Sequence, residues 1–200
     1  MYRLIVILAI LGFGYLLYDM YGYRYVINDI RKDANQSMMM GEIDSDINIL
    51  AYIDYDSPSS KRLYPVLLNL LAADPQVSVI LRPVETDSNT SKLATRIALS
   101  AKNQNRFMDV NNVLLASNID LDQNYIEGAT RSLGLNFNRL KSDAMSYDIE
   151  SEILKYQTEA SLLKIQNFPV FFVDHVRLEG STYTVGELQG IIRDLRTGRL

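Results

Sequence analysis

The chain has 200 residues, 48% of them hydrophobic, which suffices for one domain of ordinary size with a real core plus an anchor or tail. Its net charge of −4 is mild, and it carries no basic stripe or zinc knuckle, so a nucleic-acid partner is not expected. It has no cysteine and a single histidine, which excludes disulfides, thiol chemistry and thiolate metal sites and argues against a His-based triad or multi-His metal centre; no cofactor or metal is implied.

Residues 4–18 carry no charge and lie between Arg3 and Asp19. As a helix this run would span ~22 Å, short of a hydrocarbon core of ~30 Å, although Met1, Met20 and the flanking tyrosines extend it. A cleaved signal peptide would need a small-x-small site, and Gly12-Phe13-Gly14 is a poor one. An uncleaved transmembrane anchor over 1–20 also accounts for Tyr15, Tyr18, Tyr21, Tyr23 and Tyr25 as an interfacial belt. Charge does not set its orientation, since Arg3 lies on one side and Arg24, Arg31 and Lys32 on the other. Residues 21–46 are polar, lack a sustained period, and read as a linker with one short helix. Within it, Met38-Met39-Met40-Gly41 either packs on the domain or is merely tolerated, the preferred reading, or offers a partner surface.

The short apolar run 47–53 reads as a buried strand. Ser57 then suits an N-cap and Pro58 the first helical position, with Leu63, Val66, Leu67, Leu70 and Leu71 at helical spacing and Asp74-Pro75 as the stop. Residues 77–81 form a second buried strand ended by Pro83, expected to run parallel to the first in a right-handed strand–helix–strand unit. Residues 91–164 look helical throughout, in pieces at 91–103, 105–116, 122–133, 136–143 and 148–164, with Gly134 placed as a C-cap. Residues 170–173 and 176–178 make an antiparallel hairpin turning at Asp174-His175. Thr184 and Glu187 form a capping box before a last helix that ends among Arg193, Arg196 and Arg199. The order is βαβ, a helical insertion over about 88–164, then ββα. It predicts an α/β thioredoxin fold over 47–197, split by a helical domain and preceded by a transmembrane helix.

Four local patterns carry a resemblance. Tyr52-Ile53-Asp54-Tyr55-Asp56-Ser57-Pro58-Ser59-Ser60-Lys61 looks like an aromatic-x-Asp-Tyr-x-Cys-Pro-x-Cys-Lys motif. Arg82-Pro83 follows the second strand, and Ala94 and Ala98 with the 102–107 stretch match an alanine-rich helix and its turn. Leu163-Lys164-Ile165-Gln166-Asn167-Phe168-Pro169-Val170-Phe171 is similar to Leu-Gly-Ile-x-Gly-Thr-Pro-x-Phe. In this order and spacing they resemble the DsbA family of bacterial envelope thiol oxidoreductases over about 41–197. The resemblance implies that the bond before Pro169 is cis, and that Ser57, Pro58, Ser59, Ser60, Phe168, Pro169 and Val170 line a peptide-binding groove, narrowed by Phe168 where the family has a small residue. The family's chemistry rests on a disulfide whose attacking thiolate is stabilised at a helix N-terminus. Ser57 and Ser60 stand at those cysteine positions and cannot exchange, so they are vestigial and no catalytic residue remains.

The expected function is therefore that of a redox-inactive, single-pass protein of the bacterial inner membrane with its domain in the periplasm. It would bind a protein partner of an envelope assembly as a scaffold or chaperone-like component. Two alternatives stand beside it. Ser57-Pro58-Ser59-Ser60 is similar to the Ser-Pro-x-Ser junction of kappa-class glutathione transferases, which would make Ser57 a thiol-activating residue in an enzyme using glutathione or another thiol. The chain could also be an ordinary oxidoreductase with both cysteines changed to serine by engineering. Elsewhere, Lys61 and Arg62 read as a solvated first turn, Asp54 and Asp56 as exposed loop carboxylates, and His175 as a surface histidine.

Overall fold

Runs of Ile, Val, Leu and Phe buried on both faces build the sheet, as strands covered on two sides require. The computed structural model describes Val6, Gly12, Gly22 and residues 24–42 and 44–200. The expected anchor at 1–20, with its membrane-crossing run at 4–18, falls outside the described residues but for Val6 and Gly12. Among the described residues no helix is long and apolar enough to cross a membrane.

The central strands are β2 (Ile47–Ile53) and β3 (Val77–Pro83), parallel and in register from Ile47 opposite Val77 to Ile53 opposite Pro83. Helix α2 (Pro58–Ala73) makes the crossover. On the other side of β2 lies β4 (Val170–Val173), antiparallel, followed by its hairpin partner β5 (Val176–Glu179). The five-stranded sheet is completed by β1 (Met39–Met40), antiparallel to β3, and has the order β1-β3-β2-β4-β5. Between β3 and β4 runs a lobe of helices: α3 (Asn89–Ser100), α4 (Phe107–Leu115), α5 (Gln123–Ser132), α6 (Phe137–Asp143) and α7 (Tyr147–Leu162). Helix α8 (Val185–Arg196) closes the chain, started by the Thr184–Glu187 capping box and packed on α2.

The folded unit begins earlier than residue 47. The stretch 24–32 is helical (α1) and buries Ile27 and Ile30, while Met38 and Met40 go into the core. The reading of 21–46 as a linker thus differs from the structure at both α1 and the methionines, which pack on the domain as the preferred reading has it, Met39 and Met40 lying opposite Ile80 and Val79. Gly41 makes this approach possible. Its φ is +87°, and a Cβ there would meet the Val77 carbonyl oxygen at 2.5 Å.

A buried ionic network holds the helical lobe, α1 and the sheet together. Arg82 is fully buried on β3; its Nε donates to Glu159 Oε2 of α7 at 3.1 Å and its Nη2 to the Ile30 carbonyl of α1 at 3.3 Å. The Tyr52 hydroxyl donates to the same Glu159 oxygen at 3.0 Å, and the guanidinium lies 4.8 Å from the centre of the Tyr156 ring. Burial and the neighbouring Glu159 charge raise the Tyr52 pKa, so its proton stays in place to bond the carboxylate.

Candidate functional site

Three chain segments converge where β2 ends. Ser57 N-caps α2: its Oγ accepts from the Ser60 N–H at 3.4 Å, and Pro58 at the first helical position needs no partner for a missing N–H. The same Ser57 Oγ donates to the Phe168 carbonyl at 3.0 Å, joining the helix start to the turn before β4 across 111 positions of sequence. The Phe168–Pro169 peptide is cis. Ser60, 1% exposed, points inward, and its hydroxyl accepts the Asp54 N–H at 3.2 Å. Both serine hydroxyls are therefore engaged, Ser60 within the loop and Ser57 across to Phe168.

The seven residues expected to line a groove do not share one environment. Ser57, Ser59 and Phe168 are partly exposed and Pro58 is exposed, whereas Ser60, Pro169 and Val170 are buried. Val170 pairs with Tyr52 on one side and Glu179 on the other, and the Pro169 carbonyl accepts from the Gly180 N–H at 3.0 Å. The accessible part of the site is accordingly Ser57–Ser59 together with Phe168.

Asp54 is not the exposed loop carboxylate the sequence suggested. It is 6% exposed, accepting from the Asp56 N–H at 3.0 Å and the Thr86 hydroxyl at 3.3 Å. Burial raises its pKa, against the opposing pull of hydrogen bonds from Ser91, Asp56 and Thr86. Asp56 accepts from the Ser88 hydroxyl at 2.6 Å. These bonds tie the loop to the N-terminal turn of α3, fixing its shape from below.

His175 lies at the turn between β4 and β5, where its Nδ1 is 2.7 Å from Asp174 Oδ2 and its Nε2 2.7 Å from Arg24 of α1. Burial opposes ionisation of Asp174, but hydrogen bonds from Arg31 and His175 outweigh it and lower its pKa. The imidazole belongs to this cluster rather than to the serine loop. Among the described residues no cluster of histidine and carboxylates could hold a metal ion.

Residues 33–194 match the Thioredoxin family. The chain belongs to it. Solved structures with the same fold include a thioredoxin-like oxidoreductase from Silicibacter pomeroyi, at 22% identity and a TM-score of 0.75, covering 82% of this chain and 99% of that one. A periplasmic thioredoxin-like protein from Salmonella enterica matches at 20% identity and a TM-score of 0.65, over 80% of this chain and 91% of its own. The thiol-disulfide exchange protein alpha-DsbA2 from Wolbachia pipientis matches at 15% identity and a TM-score of 0.75, over 88% and 96%. No curated protein matches the chain. The fold is thus the DsbA-type thioredoxin fold with a helical lobe, and this member of the thioredoxin family lacks its cysteines.

Sequence reasoning missed a groove of about 640 Å³ beside this loop. One wall is α2, with Pro58, Lys61, Pro65 and Leu68; the other is the end of α4 and the loop after it, with Leu115 and Ile119. Lys61, expected to be solvated, donates from Nζ to the Ile119 carbonyl at 3.0 Å and bridges the two walls. The prolines and leucine on the outer face of α2 were visible in the sequence, but the opposite wall comes from a loop some fifty residues later, which periodicity does not place.

Proposed function

We propose that this thioredoxin-family protein is a redox-inactive binding component of a bacterial cell envelope, anchored in the inner membrane through residues 4–18, with its domain in the periplasm. Its partner is a protein segment taken up in extended form at the edge marked by Ser57, Pro58, Ser59 and Phe168, and it acts as a scaffold or chaperone-like element. The observation that carries this reading is the 3.0 Å bond from the Ser57 hydroxyl to the Phe168 carbonyl. It keeps the two halves of a thioredoxin-type substrate site together with oxygen where the exchanging sulfur would be. An extended peptide can add to an accessible backbone edge without covalent chemistry. The periplasmic description of the Salmonella relative and the uncharged run at 4–18 support the location.

A photo-crosslinking residue placed at Phe168 of the full chain, expressed in its own membranes, should give a discrete adduct with an envelope protein. The same residue at the exposed position Asn69 should not. Adducts of equal yield at both positions, or none at Phe168, would remove the groove reading. The glutathione alternative has a weaker footing in the geometry. The Ser57 proton is committed to the Phe168 carbonyl, and the sole histidine is engaged with Asp174 and Arg24. Calorimetry with millimolar glutathione decides it: heat that disappears with Ser57→Ala would restore that reading.

A further inference from the structure

The outer face of α7 is unlike the rest of the surface. Of nine large hydrophobic residues exposed on the described surface, four lie on this helix or the turn before it: Met145 at 79%, Tyr147 at 84%, Leu154 at 62% and Leu162 at 62%. At about 100° per residue, Tyr147, Ser151, Leu154, Thr158, Ser161 and Leu162 fall on one stripe roughly 100° wide. No charged residue interrupts it along the 16 residues of the helix. A solvated helix face normally carries charge, and an uncharged one bearing Tyr147, Leu154 and Leu162 is a candidate contact surface.

The flanks of the stripe indicate what covers it. On one side Glu150 is neutralised within the chain by Arg96 at 2.7 Å, and on the opposite flank, toward the inner side of the helix, Glu152 is neutralised by Lys102. On that same flank, nearer the stripe, stand Asp148 and Lys155, seven residues apart and nearly in line along the helix, beside residues 33–35. Asp148 has no ion-pair partner among the described residues, and Lys155 reaches only the exposed Asp33. If two copies of α7 pack antiparallel about a two-fold axis, like flanks face each other. With the axis passing beside Ser151, Asp148 of each copy meets Lys155 of the other, twice. The same register sets each Leu154 against Tyr147 and Ser151 of the other copy, and the small Ser151 at the axis lets the helices approach. Shape, polarity and charge thus agree on a single register, which is the mark of an isologous surface.

We propose that α7 is a homodimerisation surface, occupied by the α7 of a second copy in antiparallel orientation with Ser151 at the two-fold. A single helix pair lies at the small end of the range of specific interfaces, so the dimer is expected to be weak and concentration-dependent. The proposal is independent of what binds at the serine loop.

A cysteine-free chain permits a direct test. In the full chain, Ser151→Cys places one thiol at the axis, where it meets its own copy, while Gln157→Cys places one on the exposed flank away from the stripe. Under mild oxidation Ser151→Cys should form disulfide-linked dimer at least about tenfold faster than Gln157→Cys, because the docked complex raises the local thiol concentration. Sedimentation of the full chain should show a monomer–dimer equilibrium. Leu154→Glu and Asp148→Lys should each weaken it about tenfold, and Asp148→Lys combined with Lys155→Asp should restore it. Equal cross-linking rates at the two positions would overturn the proposal. So would a chain that stays monomeric at every concentration, or a dimer indifferent to Leu154→Glu. Failure of the charge exchange to restore association would refute the antiparallel register.

Discussion

Two polar regions of this molecule are built from similar parts and differ in how they meet solvent. The Arg82–Glu159 network and the serine loop each join segments distant in sequence, and each contains a buried carboxylate bonded to hydroxyls. Around Arg82, however, every neighbour is core. The guanidinium bonds to Glu159, to two backbone carbonyls and to an aromatic face, and is itself fully buried. The serine loop is fixed from below by Asp54 and Ser60 but stays open above at Ser57, Pro58 and Ser59. Burial and polarity therefore do not tell the two regions apart; access to solvent on one side does.

That contrast can be broken most forcefully at Arg82. Arg82→Met leaves Glu159 charged in the core without a counter-charge, held only by the Tyr52 hydroxyl, which should cost about 3–5 kcal/mol in urea unfolding. Adding Glu159→Leu should recover most of it, since a well-packed apolar pair removes the stranded charge. If the double variant is as unstable as the single, the network is not the tie described here. Next in size, Gly41→Ala forces a side chain into left-handed backbone against the Val77 carbonyl and should cost about 1–3 kcal/mol. The loss should be accompanied by faster hydrogen exchange in β1 and α1 than in α8.

The serine loop should respond more gently. Ser57→Ala removes the helix cap and the bond to Phe168, with an expected cost of about 1 kcal/mol. A loss as large as that at Arg82 would make the loop a structural element and undo the distinction. Asp54→Asn sharpens the comparison through pH. Burial raises the folded-state pKa of Asp54, so its favourable contribution is full below the unfolded carboxylate pKa and is lost as pH rises through the folded value. Relative to the parent, Asp54→Asn should therefore gain stability as pH rises through and above the carboxylate range. A constant difference between pH 4 and 7 would contradict the raised pKa.

Much of this architecture was legible in the residues. The apolar run ending at Ile53, the Ser57-Pro58 start and the Thr184–Glu187 box are local signals, and local physics fixes them. β3 was read too short because Arg82-Pro83 looks like a strand end; its partner Glu159 lies 77 positions away, beyond any local pattern. The methionines after Gln36 and the pair Ile27 and Ile30 did carry an apolar signal, diluted by the charges around them. Asp54 looked exposed because the hydroxyls of Thr86 and Ser91 that enclose it belong to another part of the chain. Lys164, where the resembled family has glycine, takes the left-handed position just past α7 with a φ of +52°, its N–H bonding the Ser161 carbonyl while the Ile165 N–H bonds that of Ala160, a local helix cap that glycine would ordinarily fill.

As the resemblance implies, Ser57 and Ser60 stand where the family has its exchanging cysteines, and the proposed function rests on that. Replacing both hydroxyls, Ser57→Cys with Ser60→Cys, tests it most directly by thiol counting after mild oxidation and by reduction of a model disulfide. The two new thiols should pair within one chain and support exchange, while the parent chain gives none. Thiols that stay unpaired under oxidant in a folded variant would contradict the account.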